Sequence, residues 1–81
     1  MPINIENTDV WLVQSFGNGL AYGFTHKPSQ RAGFVQGDDA AQWRNAYDAM
    51  GYAYMDPKSV WHACTWNACL AELIGEYLSN V

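Results

Sequence analysis

The stretch DVWLVQSFGNGLAYGFTH, Asp9 to His26, sets two β-prone runs, VWLVQSF and LAYGFTH, on either side of Gly17-Asn18-Gly19. β-Branched and aromatic residues suit a pleated strand, and the glycine–asparagine–glycine centre suits a hairpin turn. A type I′ turn on Asn18-Gly19 needs positive φ at both central positions, which asparagine tolerates and glycine allows freely. That turn opposes Gly17 with Leu20, Ser15 with Tyr22, Val13 with Phe24 and Trp11 with His26. Side chains alternate along a strand, so one face collects Trp11, Val13, Leu20, Tyr22 and Phe24. The other face carries the mixed set Val10, Leu12, Gln14, Phe16, Ala21 and Thr25. The first face is expected to meet a core and the second to stay partly wet.

Downstream, Lys27-Pro28-Ser29-Gln30 reads as a turn, with proline pre-set for its second position. A third strand, Arg31 to Gln36, is expected to pair with the second and to end at Gly37. Asp39 followed by Gln42 resembles a capping box. Ala40, Trp43, Ala46, Tyr47 and Met50 then recur at helical spacing, with Arg44, Asn45 and Asp48 opposite and Gly51 as the expected stop. Tyr52 to Met55 is read as a short fourth strand or an extended connector. Asp56-Pro57 is expected to open a last helix running to about Ser79. Its stripe of Ala63, Trp66, Leu70, Leu73 and Tyr77 is widened by Val60, Cys64, Ile74 and Leu78, which calls for cover on two sides. Cys64, Ala68, Ala71 and Gly75 form a seam of small residues, expected against the first helix or against a symmetric copy. The expectation is a single α+β domain over residues 1–81. It is an antiparallel hairpin extended to three strands, or four with 52–55, on two helices in the order β-β-β-α-(β)-α.

Twelve aromatic residues sit beside twelve charged ones in 81 residues, with a net charge of −4. Rings on that scale either fill a small core or line a contact surface. A chain this short is near the lower limit for an independent core, and a homodimer is one way to complete it. The four bases, Lys27, Arg31, Arg44 and Lys58, are scattered. No basic stripe therefore forms to release counterions from a nucleic acid, and direct binding to DNA or RNA is not expected. No apolar run is long enough to span a bilayer, and Met1 to Val10 lacks the pattern of a secretion signal. Cys64 and Cys69, five apart on the predicted helix, diverge by roughly 140°, so two unpaired thiols in a reducing cytoplasm are expected.

The residue types of a catalytic or metal site occur without its spacing. His26, His62, Cys64 and Cys69 nominally make four zinc ligands, but His62-x-Cys64 and Cys64-x4-Cys69 do not match paired-ligand spacers. His62 and Cys64 point to different sides of a helix, and mid-helix cysteines gain little thiolate stabilisation from its dipole. Asp38-Asp39 suits capping, and Gly17, Gly19 and Gly23 belong to a hairpin rather than a phosphate loop. No catalytic group, metal or cofactor is therefore expected. The candidate contact residues are Trp61, Tyr52, Tyr54, Glu72 and Glu76. Trp61 projects away from the main apolar stripe, as an interface anchor would; the competing reading folds it over Tyr52 or Tyr54. Tyr52 and Tyr54 alternate on the presumed extended segment, and Glu72 and Glu76 form an exposed acidic pair.

These features describe a non-enzymatic interaction protein. In its shortness, acidity and α+β outline, over the whole length and without a shared motif, the chain resembles the small inhibitors of CRISPR effector complexes. That resemblance implies a phage or mobile-element origin. It also implies a partner that is a larger protein or ribonucleoprotein, whose basic nucleic-acid-binding surface is covered by an acidic, aromatic face. Two other readings stand beside it. One is an oligomer that sequesters a nucleotide between aromatic walls, with Arg31, Arg44, Lys27 and Lys58 to balance phosphates. The other is a thiol or zinc protein built on His62, Cys64, Cys69 and His26.

Overall fold

A computed structural model describes residues 3–78. The hairpin forms in the expected register. Strand β2 (Trp11–Phe16) pairs antiparallel with β3 (Ala21–His26), Trp11 opposite His26, Val13 opposite Phe24 and Ser15 opposite Tyr22. Gly17, Asn18 and Gly19 take φ of 59°, 57° and 92°, and the Leu20 amide donates to the Gly17 carbonyl at 3.3 Å. Trp11, Val13, Tyr22 and Phe24 are buried. Leu20 departs from its expected place and is 74% exposed, because the ladder closes at Phe16 opposite Ala21 and leaves it in the turn. Strand β4 (Arg31–Gln36) adds to β3 through the Lys27–Gln30 turn, where Gln30 has φ of 60°.

The sheet has four strands in the order β1-β2-β3-β4. The fourth is not Tyr52–Met55 but β1, Ile3–Asn7, on the free edge of β2. Its register slips between Asn4, opposite Gln14, and Glu6, opposite Val13. Such a bulge sets two residues against one, so consecutive side chains reach the same face. Ile5 packs on the core and Glu6 turns to that side as well; without the slip, Glu6 would alternate to the outer face.

Helix α1 runs Asp38–Met55, so the predicted fourth strand is its last turn. Gly51 does not stop it, since a glycine ends a helix only by adopting the left-handed conformation. The stop comes from Pro57, which disfavours helical geometry at the preceding residue. Asp56 is extended, with φ of −83° and ψ of 114°, and its amide caps the carbonyls of Tyr52 and Ala53. At the other end Gly37 occupies the cap position with no side-chain hydrogen bond, so the expected Asp39 capping box is absent. Asp38 and Asp39 instead lie in the first turn, where negative charge suits the helix dipole.

The expected single last helix is divided. Ser59 Oγ accepts from the Trp61 amide and opens a 3₁₀ turn, Val60–Ala63; Cys64 is then extended, at φ −90° and ψ 161°. Thr65 Oγ1 accepts from the Ala68 amide at 3.1 Å and starts helix α2, Trp66–Ile74, which tightens to a 3₁₀ turn at Gly75–Tyr77. Hydroxyl side chains that bond nearby amides compete with a continuous helix. The break takes Cys64 out of the small-residue seam, and Ala68, Ala71 and Gly75 are exposed rather than set against α1. The expected end at Ser79 lies outside the described residues.

Both helices cover one sheet face. Trp43 of α1 lies 4.9 Å from the rings of Tyr22 and of Phe24, and its Nε1 donates to the Leu73 carbonyl of α2 at 3.1 Å. Leu70, Leu73, Ile74, Val13, Val35 and Ala40 complete this core. After α2 the main chain crosses the edge strand at Gly33, which bridges to Leu78. A Cβ on Gly33 would collide with the Tyr77 carbonyl, so this crossing requires glycine.

Candidate functional site

Beside the buried core, a second group of rings is arranged around one carboxylate. Because the β1 bulge turns Glu6 towards the helices, its Oε1 accepts from Tyr47 Oη of α1 at 2.6 Å and from Trp66 Nε1 of α2 at 3.0 Å. Tyr47 stacks on Trp43 with centroids 5.1 Å apart, and Trp66 meets Tyr47 edge-on at 6.1 Å and Tyr54 at 5.2 Å. Burial, then the hydrogen bond and charge of Glu6, hold the Tyr47 phenol well above its ordinary ionisation range. Arg44 pairs with Asp48 at 3.1 Å and rests over the Tyr47 ring, 5.5 Å from its centroid.

Tyr47 and Trp66 wall an open cleft of about 440 Å³ whose other lining residues are Asp48, Gly51, Tyr52 and Met55. Its lining holds one acid, Asp48, whose charge is paired with Arg44. Tyr52 and Met55, on its rim, are 79% and 76% exposed, and Val60, just beyond α1, is 79% exposed. The charge is uneven too. Residues 38–81 carry six of the eight acids but two of the four bases, which places the whole net charge of −4 on the helical half.

The sequence-predicted residues are dispersed around this region. Tyr52 lies on the cleft rim, and Tyr54 is half-buried against Trp66; both are helical, so they form no strand edge. Trp61 is half-buried and lines a different groove of about 320 Å³ with Ala46, Ala49, Met50, Ala53 and Leu73. Glu72 and Glu76 are exposed on α2 and the turn after it, and neither lines either of these two grooves. Of the cleft lining, sequence reasoning missed Tyr47, Asp48, Gly51, Met55 and Trp66 as site members, together with Glu6 behind it. Tyr47 and Trp66 carry apolar periodicity, which reads as core, and a bulge leaves no local mark that would reveal Glu6.

The four nominal zinc ligands have other partners. His26 Nδ1 lies 2.7 Å from Ser29 Oγ with its ring against Trp11, and His62 Nδ1 lies 3.0 Å from the Tyr54 carbonyl. Cys64 and Cys69 are free thiols; Cys69 is buried, and burial, with Cys64 nearby, pushes its thiol up. Among the described residues no group of three or more His, Cys, Asp or Glu is placed to hold a metal ion, and no helix is long and apolar enough to cross a membrane. Comparison of the chain with protein-family models, curated proteins and solved structures finds no match.

Proposed function

We propose that this chain is a non-enzymatic binding protein that docks the C-terminal half of α1 onto a basic surface of a larger protein or ribonucleoprotein. One observation carries the reading: Tyr52, Met55 and Val60, each more than three-quarters exposed, cluster within nine residues of the helical half that holds the net negative charge. Exposed apolar side chains rimmed by charge mark interaction surfaces. In its most specific form, the proposal is a phage or mobile-element inhibitor that acts in the cytoplasm and covers the nucleic-acid-binding surface of a CRISPR-type effector complex. Complementary charge would speed its encounter with such a surface and make binding salt-sensitive.

The test is target-DNA binding by a reconstituted effector complex, with the chain and with its Tyr52→Ser/Val60→Ser variant. The expected result is inhibition that weakens as salt rises and is relieved in the variant while its circular dichroism is unchanged. Affinity capture from the native host, wild type against the same variant, tests the general form. Absence of any capture that depends on these two side chains would overturn it.

A further inference from the structure

We infer that the outer face of the sheet, which the helices leave open, receives a second copy of this chain packed face to face. The pairing registers turn Leu12, Gln14 and Phe16 of β2 to that side, with Thr25 of β3 and Phe34 of β4. Followed across all four strands, this face carries no Asp, Glu, Lys or Arg among the described residues, although the chain has twelve. A half-wet antiparallel sheet normally turns polar and charged residues to water. Here Phe16 and Phe34 flank Gly23 with ring centroids 6.1 Å apart, and a Cβ on Gly23 would lie 3.1 Å from the Phe16 ring. The missing side chain thus lets that ring lie down on the backbone, which keeps the face flat. Phe34 is still 54% exposed, and the Gln14 Nε2 donates to Asn4 Oδ1 at 3.1 Å, so amides on this face pair with each other.

Charge selects the occupant. A strongly charged protein finds nothing to pair with on this face, and a nucleic acid finds no base. Residues 1–37 carry two acids and two bases, so the sheet half is neutral and the net charge of −4 lies on residues 38–81. Face-to-face apposition sets neutral surface on neutral surface and keeps the two negative halves on opposite outsides. Pairing through the helices would press those halves together. The sheet edges suit a copy less well, since β1 is bulged and Leu78 bridges to Gly33 at the β4 edge. Four strands about 4.8 Å apart, of about six residues at 3.4 Å each, make a face of roughly 20 Å by 19 Å. Two copies then bury about 800 Å² in projection, short of the roughly 1,200–2,000 Å² of a standard interface, so the dimer is a weak one of micromolar affinity.

Sedimentation equilibrium of the full chain, from micromolar to millimolar concentration, is the test. The expected result is a reversible monomer–dimer equilibrium that added salt leaves unchanged or strengthens, because salt screens the repulsion between the negative halves. Phe34→Lys, and Ala32→Lys with no ring removed, each bring like charge from both copies into the interface. Each should weaken dimerisation by at least about tenfold while circular dichroism stays native. The Tyr52→Ser/Val60→Ser variant, changed on the helical layer, should dimerise as the wild type does. A monomer at every concentration, a dimer that salt dissociates, or one indifferent to both lysines would overturn the inference. Loss of the dimer in Tyr52→Ser/Val60→Ser would do so too, by placing the copy on the helical side. If the chain stays monomeric and vesicles of neutral phospholipid broaden the Phe16 and Phe34 NMR signals, the face meets a lipid surface instead of a copy. The docking proposed for α1 does not enter these results, so either can fail without the other.

Discussion

Two ring clusters lie side by side on α1 and are stabilised in different ways. Around Trp43 the rings are enclosed and the indole N–H groups end on the main chain: Trp43 Nε1 on the Leu73 carbonyl, and nearby Trp11 Nε1 on the Asn67 carbonyl. Around Trp66 the rings line an open cleft, and the Tyr47 hydroxyl and the Trp66 indole N–H end on a single carboxylate, Glu6. A main-chain acceptor is fixed by the fold and holds a ring for packing. A carboxylate adds charge, which packing alone does not need. The difference therefore separates a cluster that builds the molecule from one that is presented by it.

The largest effect is expected from Trp43→Ala. Truncating a buried tryptophan costs about 3–5 kcal/mol, a large share of the 5–15 kcal/mol that stabilises a typical domain. Urea denaturation followed by circular dichroism should show the transition moved far towards zero denaturant or lost. Gly33→Ala comes next, because its Cβ must displace the Tyr77 backbone that helps cover Phe24, whose ring lies 5.9 Å from that of Tyr77. Overpacking of this kind costs about 1–3 kcal/mol. A neutral result in the same denaturation assay would show that the C-terminal crossing is not tied to the core.

Glu6→Ala tests the second cluster. It strands the Tyr47 hydroxyl and the Trp66 indole N–H, and hydrogen bonds to a charged group are worth about 1.5–3 kcal/mol. Water reaches these half-buried donors, so the loss should fall at the lower end. Glu6→Gln keeps an acceptor oxygen and should recover much of it. Should Glu6→Ala leave stability untouched, the carboxylate would not organise the cleft.

Alkaline pH probes a phenol in each cluster. Burial and then Glu6 raise the Tyr47 phenol, and burial and then Glu76 raise that of Tyr77. Unfolded tyrosines lose their proton near pH 10, so above that the native state binds more protons than the unfolded one. Stability from these phenols is thus complete below about pH 10 and declines as pH rises through their folded values. Melting temperatures should fall over that window, less steeply in Tyr47→Phe, which has no proton to lose. An identical slope in wild type and variant would detach Tyr47 from the effect.

The parts of the fold legible in the sequence are those encoded locally. Asn18-Gly19 chemistry and strict alternation suffice for the β2–β3 register, and the Ala40-to-Met50 stripe suffices for the body of α1. What escaped depends on non-local choices or on competing local signals. Gly51 ends a helix in one backbone conformation and continues it in another, and the residue type does not choose between them. Ser59 and Thr65 each cap a separate turn by accepting from the Trp61 and Ala68 amides, but the apolar stripe that spans them reads as one helix. The bulge that redirects Glu6 is written in pairing with β2 rather than in β1 itself. The sequence reading sets Tyr52 and Tyr54 on an extended edge, whereas α1 puts Tyr52 on the cleft rim and Tyr54 against Trp66, and it gives no sign of the acid behind the wall.

The smallest expected effect bears most directly on the comparison. Tyr52 is 79% exposed, so Tyr52→Ser should change stability by no more than about 0.5 kcal/mol, the range for surface sites without special contacts. If the outer cluster serves recognition, that same substitution should weaken partner binding by a factor out of proportion to its effect on folding. Hot-spot rings commonly carry about 2 kcal/mol or more of binding energy. Denaturation and binding measured on one preparation give both numbers. A Tyr52→Ser protein that loses stability and binding in equal measure would make Tyr52 a structural residue and merge the two clusters into one.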